Sequence, residues 1–152
     1  MGDLLQPWHL MILFFVACLF VVPVIFYILT LSRLLKKCAI ASRVIEPGML
    51  WLLLVPLVGL VFQFFVVLGV AKSLSNEFRS RGMTGVDPRP GWSVGIAMCV
   101  FGACEVIPVP SVRIISMFAH FVLWLVYWKR IAEFSGMLDQ SPGVGAIPLP
   151  TI

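Results

Sequence analysis

Two stretches of 25 residues without a charged side chain, positions 8–32 and 47–71, occupy most of the first half of this chain. A helix needs about 20 consecutive apolar residues to cross the hydrocarbon core of a bilayer, so each stretch is long enough by itself. The composition agrees: 61% of the 152 residues are hydrophobic and 12% are charged, where a soluble domain carries roughly 25% Asp, Glu, Lys and Arg. That balance excludes an ordinary soluble protein, a disordered tail, a disulfide-stapled secreted module and a free nucleic-acid-binding domain. The expected class is an all-α integral membrane protein.

Four apolar segments follow from the punctuation, at about 8–35, 47–81, 91–107 and 111–138, forming one domain over 1–140. The first has no Lys or Arg before it, exceeds the ~7–15 apolar residues of a signal peptide and lacks an Ala-x-Ala-like site, so it is expected to remain as an anchor. Pro23 falls inside it and predicts a kink, because both halves stay strongly apolar. The second opens at Pro47 and Gly48, is interrupted by Pro56 and Gly59, and is expected to continue as a helix past the membrane until Gly82. The third contains Glu105 and closes in Pro108 and Pro110, which impose a turn, so the third and fourth predict a tight helical hairpin. All five Trp residues lie near the ends of these runs, where indole rings favour the headgroup level. The tail 141–152 is rich in Pro and Gly, carries no charge and has no secondary-structure signal.

Orientation has two solutions. Arg33, Lys36, Lys37 and Arg43 separate segments one and two, and Lys72, Arg79, Arg81 and Arg89 separate two and three. With four crossings the basic residues divide five against six between the faces, and the positive-inside rule decides nothing. If the second segment is instead a re-entrant hairpin turning at Pro56 to Gly59, the division is ten against one. Charge favours re-entry. Backbone satisfaction favours a crossing, because a turn at membrane depth must be sheltered by protein or water.

Few polar groups lie inside the apolar runs. Glu105 is the only carboxylate there, and a charge at the centre of a bilayer helix costs about 2.5–3.5 kcal/mol on insertion scales. Arg113 stands eight residues on, across the proline turn, so an ion pair at one face is the plain expectation; the functional alternative is that Glu105 lines an ion or proton route. Arg113, His120 and Tyr127 are spaced by seven and share a helix face. Gln63 is expected to bond another helix. Gly91, Gly95, Cys99 and Ala103 recur every fourth residue, a small-residue seam where another backbone approaches closely.

Chemistry-bearing motifs are sparse. The four cysteines form no Cys-x-x-Cys and the two histidines, His9 and His120, are far apart, so no metal, haem or other cofactor is expected. Cys38 is juxtamembrane and placed for acylation. No nucleotide loop, nucleophile elbow or carboxylate pair occurs, and an enzyme is not expected.

The most pattern-like stretch is Pro47-Gly48-Met49-Leu50-Trp51, then Val55-Pro56, Gln63-Phe64 and Ser73-Leu74-Ser75-Asn76-Glu77-Phe78. It resembles a group of uncharacterised bacterial multi-pass membrane proteins with Pro-Gly-x-x-Trp, an apolar-Pro break, Gln-Phe and Ser-Leu-x-x-Glu-Phe at these spacings. It departs from them at Leu53 and Gly59, where that group often has Asn. The resemblance implies a bacterial inner membrane and a second helix whose cytosolic extension matters, and brings no activity with it. On that extension Leu74 and Phe78 share a face ringed by Lys72, Arg79 and Arg81. It is a candidate docking edge or anionic-headgroup surface.

The function expected on these grounds is that of an accessory or scaffolding subunit of a larger membrane complex, acting through helix packing. Its partners would be lipids and other membrane subunits or copies of itself, with no nucleic acid. The alternative is a homo-oligomeric ion channel or small transporter with Glu105 in the path.

Overall fold

The computed structural model describes residues 6–55 and 57–141. It is all-α. Helix α1 spans Pro7–Lys37; a 3₁₀ turn, Ile40–Ser42, and a 3₁₀ helix, Pro47–Leu54, come next, before α2 (Val58–Ser80), α3 (Trp92–Cys104) and α4 (Pro110–Gln140). Among the described residues α2 and α4 are long and apolar enough to cross a membrane. α1 contains the whole first uncharged run and passes through Pro23 as one helix. Pro7 and Pro110 open α1 and α4, where the missing N–H is no loss. α3 stops three residues short of the expected end at Ile107, because the residue before Pro108 is driven out of the helical region and the chain turns through Glu105 to Val109. The expected loose tail lies outside the described residues except for Ser141.

The second apolar run is not a single helix. Its first eight residues wind as a 3₁₀ helix, and α2 begins only at Val58. Pro56, the expected kink, lies outside the described residues. Beside it, Leu57 adopts a φ of +64°, the one positive φ at a non-glycine position among the described residues. The chain reverses there, as the register of contacts along α2 demonstrates. The Ala39 N–H donates to Glu77 Oε2 at 2.9 Å, Asn76 Nδ2 donates to the Ser42 carbonyl at 3.3 Å, and the Val44 N–H donates to Ser73 Oγ at 2.8 Å. Further on, Ile45 packs against Gly69, and the Leu53 carbonyl oxygen lies 2.6 Å from where a Cβ on Gly59 would stand. As one strand of this list rises from 39 to 53, the other falls from 77 to 59. Residues 39–54 therefore lie antiparallel along α2, between it and α1. Glycine at 59 is what permits the approach, since any side chain would strike backbone there.

The other helices pair simply. α1 and α4 run parallel, with Tyr27 beside Trp124 and Lys37 beside Asp139, while α3 returns antiparallel against α4, with Gly91 at Tyr127 and Gly102 at His120. One end of the molecule consequently holds the C-termini of α1, α2 and α4 and the start of α3. The opposite end holds the start of α1 and the α3–α4 turn. Gln63 meets Tyr27, so α2 begins about 20 Å short of the first residue of α1 at a rise of about 1.5 Å per residue.

Burial is uneven along this axis. Tyr27, Ile28, Leu31, Leu34 and Leu35 of α1 pack with Val66, Val67, Val70, Leu74 and Phe78 of α2, with Met98 and Cys99 of α3, and with Tyr127, Ile131 and Leu138 of α4. Nearly all of them lie in the half nearer the clustered C-termini. In the other half Met11, Phe14, Phe15 and Leu19 of α1 and Ile115, Phe118 and Phe121 of α4 are exposed. Trp124 and Trp128, expected at headgroup level, pack around Tyr27, and Trp128 Nε1 donates to Thr30 Oγ1 at 3.0 Å.

Candidate functional site

Polar chemistry concentrates at the end where three helices terminate. Arg81 is its hub. Its Nε donates to Glu77 Oε1 at 2.8 Å, its Nη1 to the Leu138 carbonyl at 2.8 Å, and its Nη2 to the Lys37 carbonyl at 3.1 Å, so one guanidinium joins α2, α4 and α1. Two of its acceptors are orphan carbonyls in the last turns of helices, which need donors. Glu77 is 3% exposed and its second oxygen takes the Ala39 N–H. Lys37 completes the tie, donating to Ser135 Oγ and Asp139 Oδ2, each at 2.7 Å. Arg43 turns back on its own loop and donates to the carbonyls of Cys38 and Lys36. Cys38 itself is 1% exposed, and burial followed by the Glu77 carboxylate pushes its thiol up to about 11, so it does not offer the accessible juxtamembrane thiol expected of an acylation site.

Beside this tie is a cavity of about 590 Å³ between one face of α2 and the loop leading into α3. Leu68 and Ala71 form its apolar part, and Lys72, Ser75, Asn76 and Arg79 continue the same α2 wall. Pro88, Arg89 and Trp92 close the opposite side, and the Arg89 guanidinium lies 5.4 Å from the centre of the Trp92 ring. Lys72, Arg79 and Arg89 are all exposed. Among the described residues none of the three has a carboxylate within salt-bridge distance. The nearest acid in the loop, Asp87, accepts the Arg89 backbone N–H instead.

The structure divides the expected docking surface. Lys72 and Arg79 face outward as anticipated, whereas Leu74, Phe78 and Arg81 turn inward. Leu74 is completely buried and Phe78 meets Phe134 edge-on at 6.1 Å, because the extension of α4 beyond the apolar run covers that face. An exposed apolar edge at Leu74 and Phe78 is therefore ruled out. The signals for the missed residues were local: Glu77 lies four residues before Arg81, and Arg89 three before Trp92.

Glu105 pairs differently from the expectation. His120 Nδ1 lies 2.7 Å from Glu105 Oε1, and both side chains are 33% exposed. Antiparallel packing of α3 on α4 sets His120 against Gly102, one turn before Glu105. Arg113 is exposed near the turn and makes no ion pair among the described residues. Gln63 bonds another helix as expected, donating to the Tyr27 hydroxyl at 2.9 Å. In the small-residue seam Gly91, Gly95 and Cys99 are buried within the chain while Ala103 faces out, and Gly102 takes its place against α4. Among the described residues no three His, Cys, Asp or Glu side chains come together as a metal-binding group. Comparison with protein-family models, with curated proteins and with solved structures finds no match to this chain.

Proposed function

We propose that this chain is a bacterial inner-membrane protein in which α1, α4 and the stretch 91–109, helical over α3 and extended by the proline turn, cross the bilayer, residues 47–71 re-enter from the cytoplasmic side, and the whole serves as an accessory or scaffolding subunit of a larger complex. Reversal of the chain beside Leu57 supports the topology, because it puts Arg33 to Arg43 and Lys72 to Arg89 at one end, together with Lys129 and Arg130. Ten basic residues then share a face and Arg113 alone takes the other, the asymmetry expected of a cytoplasmic end. One side of the 3₁₀ helix rests on α1 and α2 with Leu50 buried, while Gly48, Met49, Trp51, Leu52 and Leu54 are exposed, so the enclosure that non-helical backbone needs at membrane depth is completed by another subunit. In a background lacking the four native cysteines, Ala41→Cys and Thr84→Cys should both react with a membrane-impermeant maleimide from the cytoplasmic face, and Val109→Cys only from the other. Labelling of positions 41 and 84 from opposite faces would replace re-entry with a complete crossing.

The subunit reading is carried by the bare half of the bundle. Phe14 is 71% exposed, Phe15 69% and Phe118 67%, on helices whose other halves supply most of the buried core. Contiguous apolar surface of that extent is met by lipid or by other membrane helices. Native mass spectrometry of the tagged protein, extracted from its own membranes in mild detergent, should reveal co-purifying foreign subunits. A closed ring of identical copies would transfer the assignment to a channel, and a lone chain carrying only lipid would end the subunit reading.

A further inference from the structure

We infer that the cavity between α2 and the α3 entry loop holds the phosphate of an anionic phospholipid headgroup, with the acyl region lying against Leu68. The inference rests on the topology proposed above, which sets this end at the cytoplasmic membrane surface. It goes beyond that reading by giving the end a ligand.

The arrangement of cations carries the argument. At this end Arg81 is held by Glu77 and three carbonyls, Lys37 by Asp139 and Ser135, and Arg43 by its own loop. Arg33, Lys36, Arg130, Lys72, Arg79 and Arg89 have no ion-pair partner among the described residues, and of these Lys72, Arg79 and Arg89 line one cavity from two separate elements. Lys72 and Arg79 are two turns apart on one face of α2, about 10 Å along the axis. Arg89 approaches from the facing loop, its guanidinium carbon 5.4 Å from the centre of the Trp92 ring. Three cations round a concave site with no carboxylate partner attract an anion. Arginine forks suit the planar pairs of oxygens on a phosphate, and Lys72 supplies a point charge. Ser75 and Asn76 add neutral polar groups between the charges.

Polarity along the cavity wall selects a lipid among phosphate esters. Passing from Leu68 and Ala71 to Lys72 and then Arg79, the wall changes from apolar to basic in the direction that leads out of the bilayer. A phospholipid changes polarity in the same sense over the same distance, and Trp92 takes the boundary position that indole rings favour. Each basic residue at an anionic surface contributes enough to bind a headgroup about fivefold more tightly.

The test uses the full-length protein, delipidated in neutral detergent and titrated with equal amounts of dioleoyl phosphatidylglycerol and dioleoyl phosphatidylcholine under native mass spectrometry. The wild type should retain phosphatidylglycerol at least tenfold over phosphatidylcholine. The triple variant Lys72→Gln, Arg79→Gln, Arg89→Gln should bind the two equally, and the charge-keeping triple variant Lys72→Arg, Arg79→Lys, Arg89→Lys should retain most of the preference. Lys129→Gln with Arg130→Gln, which removes two cations outside the cavity, should change nothing. The inference is overturned if the glutamine triple variant keeps its preference with an unchanged melting curve, or if the Lys129 and Arg130 variant loses it equally. Displacement of the lipid by millimolar inorganic phosphate at constant ionic strength would overturn the lipid assignment in favour of a soluble phosphate ester. The assay reads the cavity in detergent, so an incorrect crossing number, detected by maleimide labelling, is distinguishable from an empty cavity.

Discussion

Glu77→Ala should cost about 3–5 kcal/mol of stability, the usual result of removing one partner from a buried ion pair and leaving the other charge without compensation. Arg81 keeps its helix-end carbonyls in the variant, but its charge then lies at a site where its side chain is only 9% exposed. The Ala39 N–H loses its acceptor as well, so the loop that begins the reversal along α2 is released. Denaturation in mixed micelles, followed by far-ultraviolet circular dichroism, measures the effect. Removing both partners should cost less than the two single losses combined, with a coupling of about 0.5–3 kcal/mol. A Glu77→Ala protein that unfolds at the wild-type midpoint would mean that the tie of α1, α2 and α4 is ornamental.

Gly95→Leu should be comparably damaging, for a steric reason. A Cβ at this position would overlap Val67 Cγ1 and approach Tyr127 Cε2 to 2.9 Å, and these neighbours belong to two different helices. Val67 is completely buried and Tyr127 is 1% exposed, so neither can retreat without opening the junction of α2, α3 and α4. Overpacking of this kind costs about 1–3 kcal/mol and more when the inserted group is large. Exchanging glycine for a better helix former returns only about 1 kcal/mol. Crowding therefore wins, and even Gly95→Ala should have a slightly lowered melting temperature. Gly136, with nothing within 4 Å of its would-be Cβ, is the control with opposite sign: Gly136→Ala should stabilise by about 0.5–1 kcal/mol. The junction model would fall if Gly95→Leu and Gly136→Ala melted alike.

Much of the helical content was legible in the sequence because uncharged runs and prolines act locally. The 25-residue run became part of α1, and Pro110 opened α4 where the proline turn predicted it. The division of the second run into a 3₁₀ helix and α2 was less legible. Pro56 permits either a bend or a reversal, and the choice is made by the distant contacts of residues 39–53 with 59–77, to which periodicity is blind. Charge counting favoured a hairpin at Pro56 to Gly59 and the local pattern a continuous helix, because the first sums over loops and the second over neighbours.

The site was half legible for a related reason. Lys72 and Arg79 were recognisable from their helix face, but Leu74 and Phe78 looked like an exposed edge because nothing in their own segment announces that α4 reaches Phe134 and Leu138 to cover them. Arg89 and Trp92 join Lys72 across a loop whose path depends on the α2–α3 packing at Gly95. Glu105 followed the same rule: its partner was set by the antiparallel register of α3 on α4, which favours His120 over the nearer-in-sequence Arg113.

Unequal packing along the bundle has a mechanical consequence. Lys37, Arg81 and the aromatic cluster at Tyr27 clamp the half that holds the clustered C-termini, while the first half of α1 has no comparable fastening among the described residues. A helix longer than the local hydrocarbon thickness adjusts by tilting, at a cost of fractions of a kcal/mol per ångström. In a bilayer that adjustment would fall on the part of α1 before Tyr27, where no hydrogen bond to another helix is present among the described residues. The clamped half can then hold its position while the opposite half accommodates bilayers of different thickness.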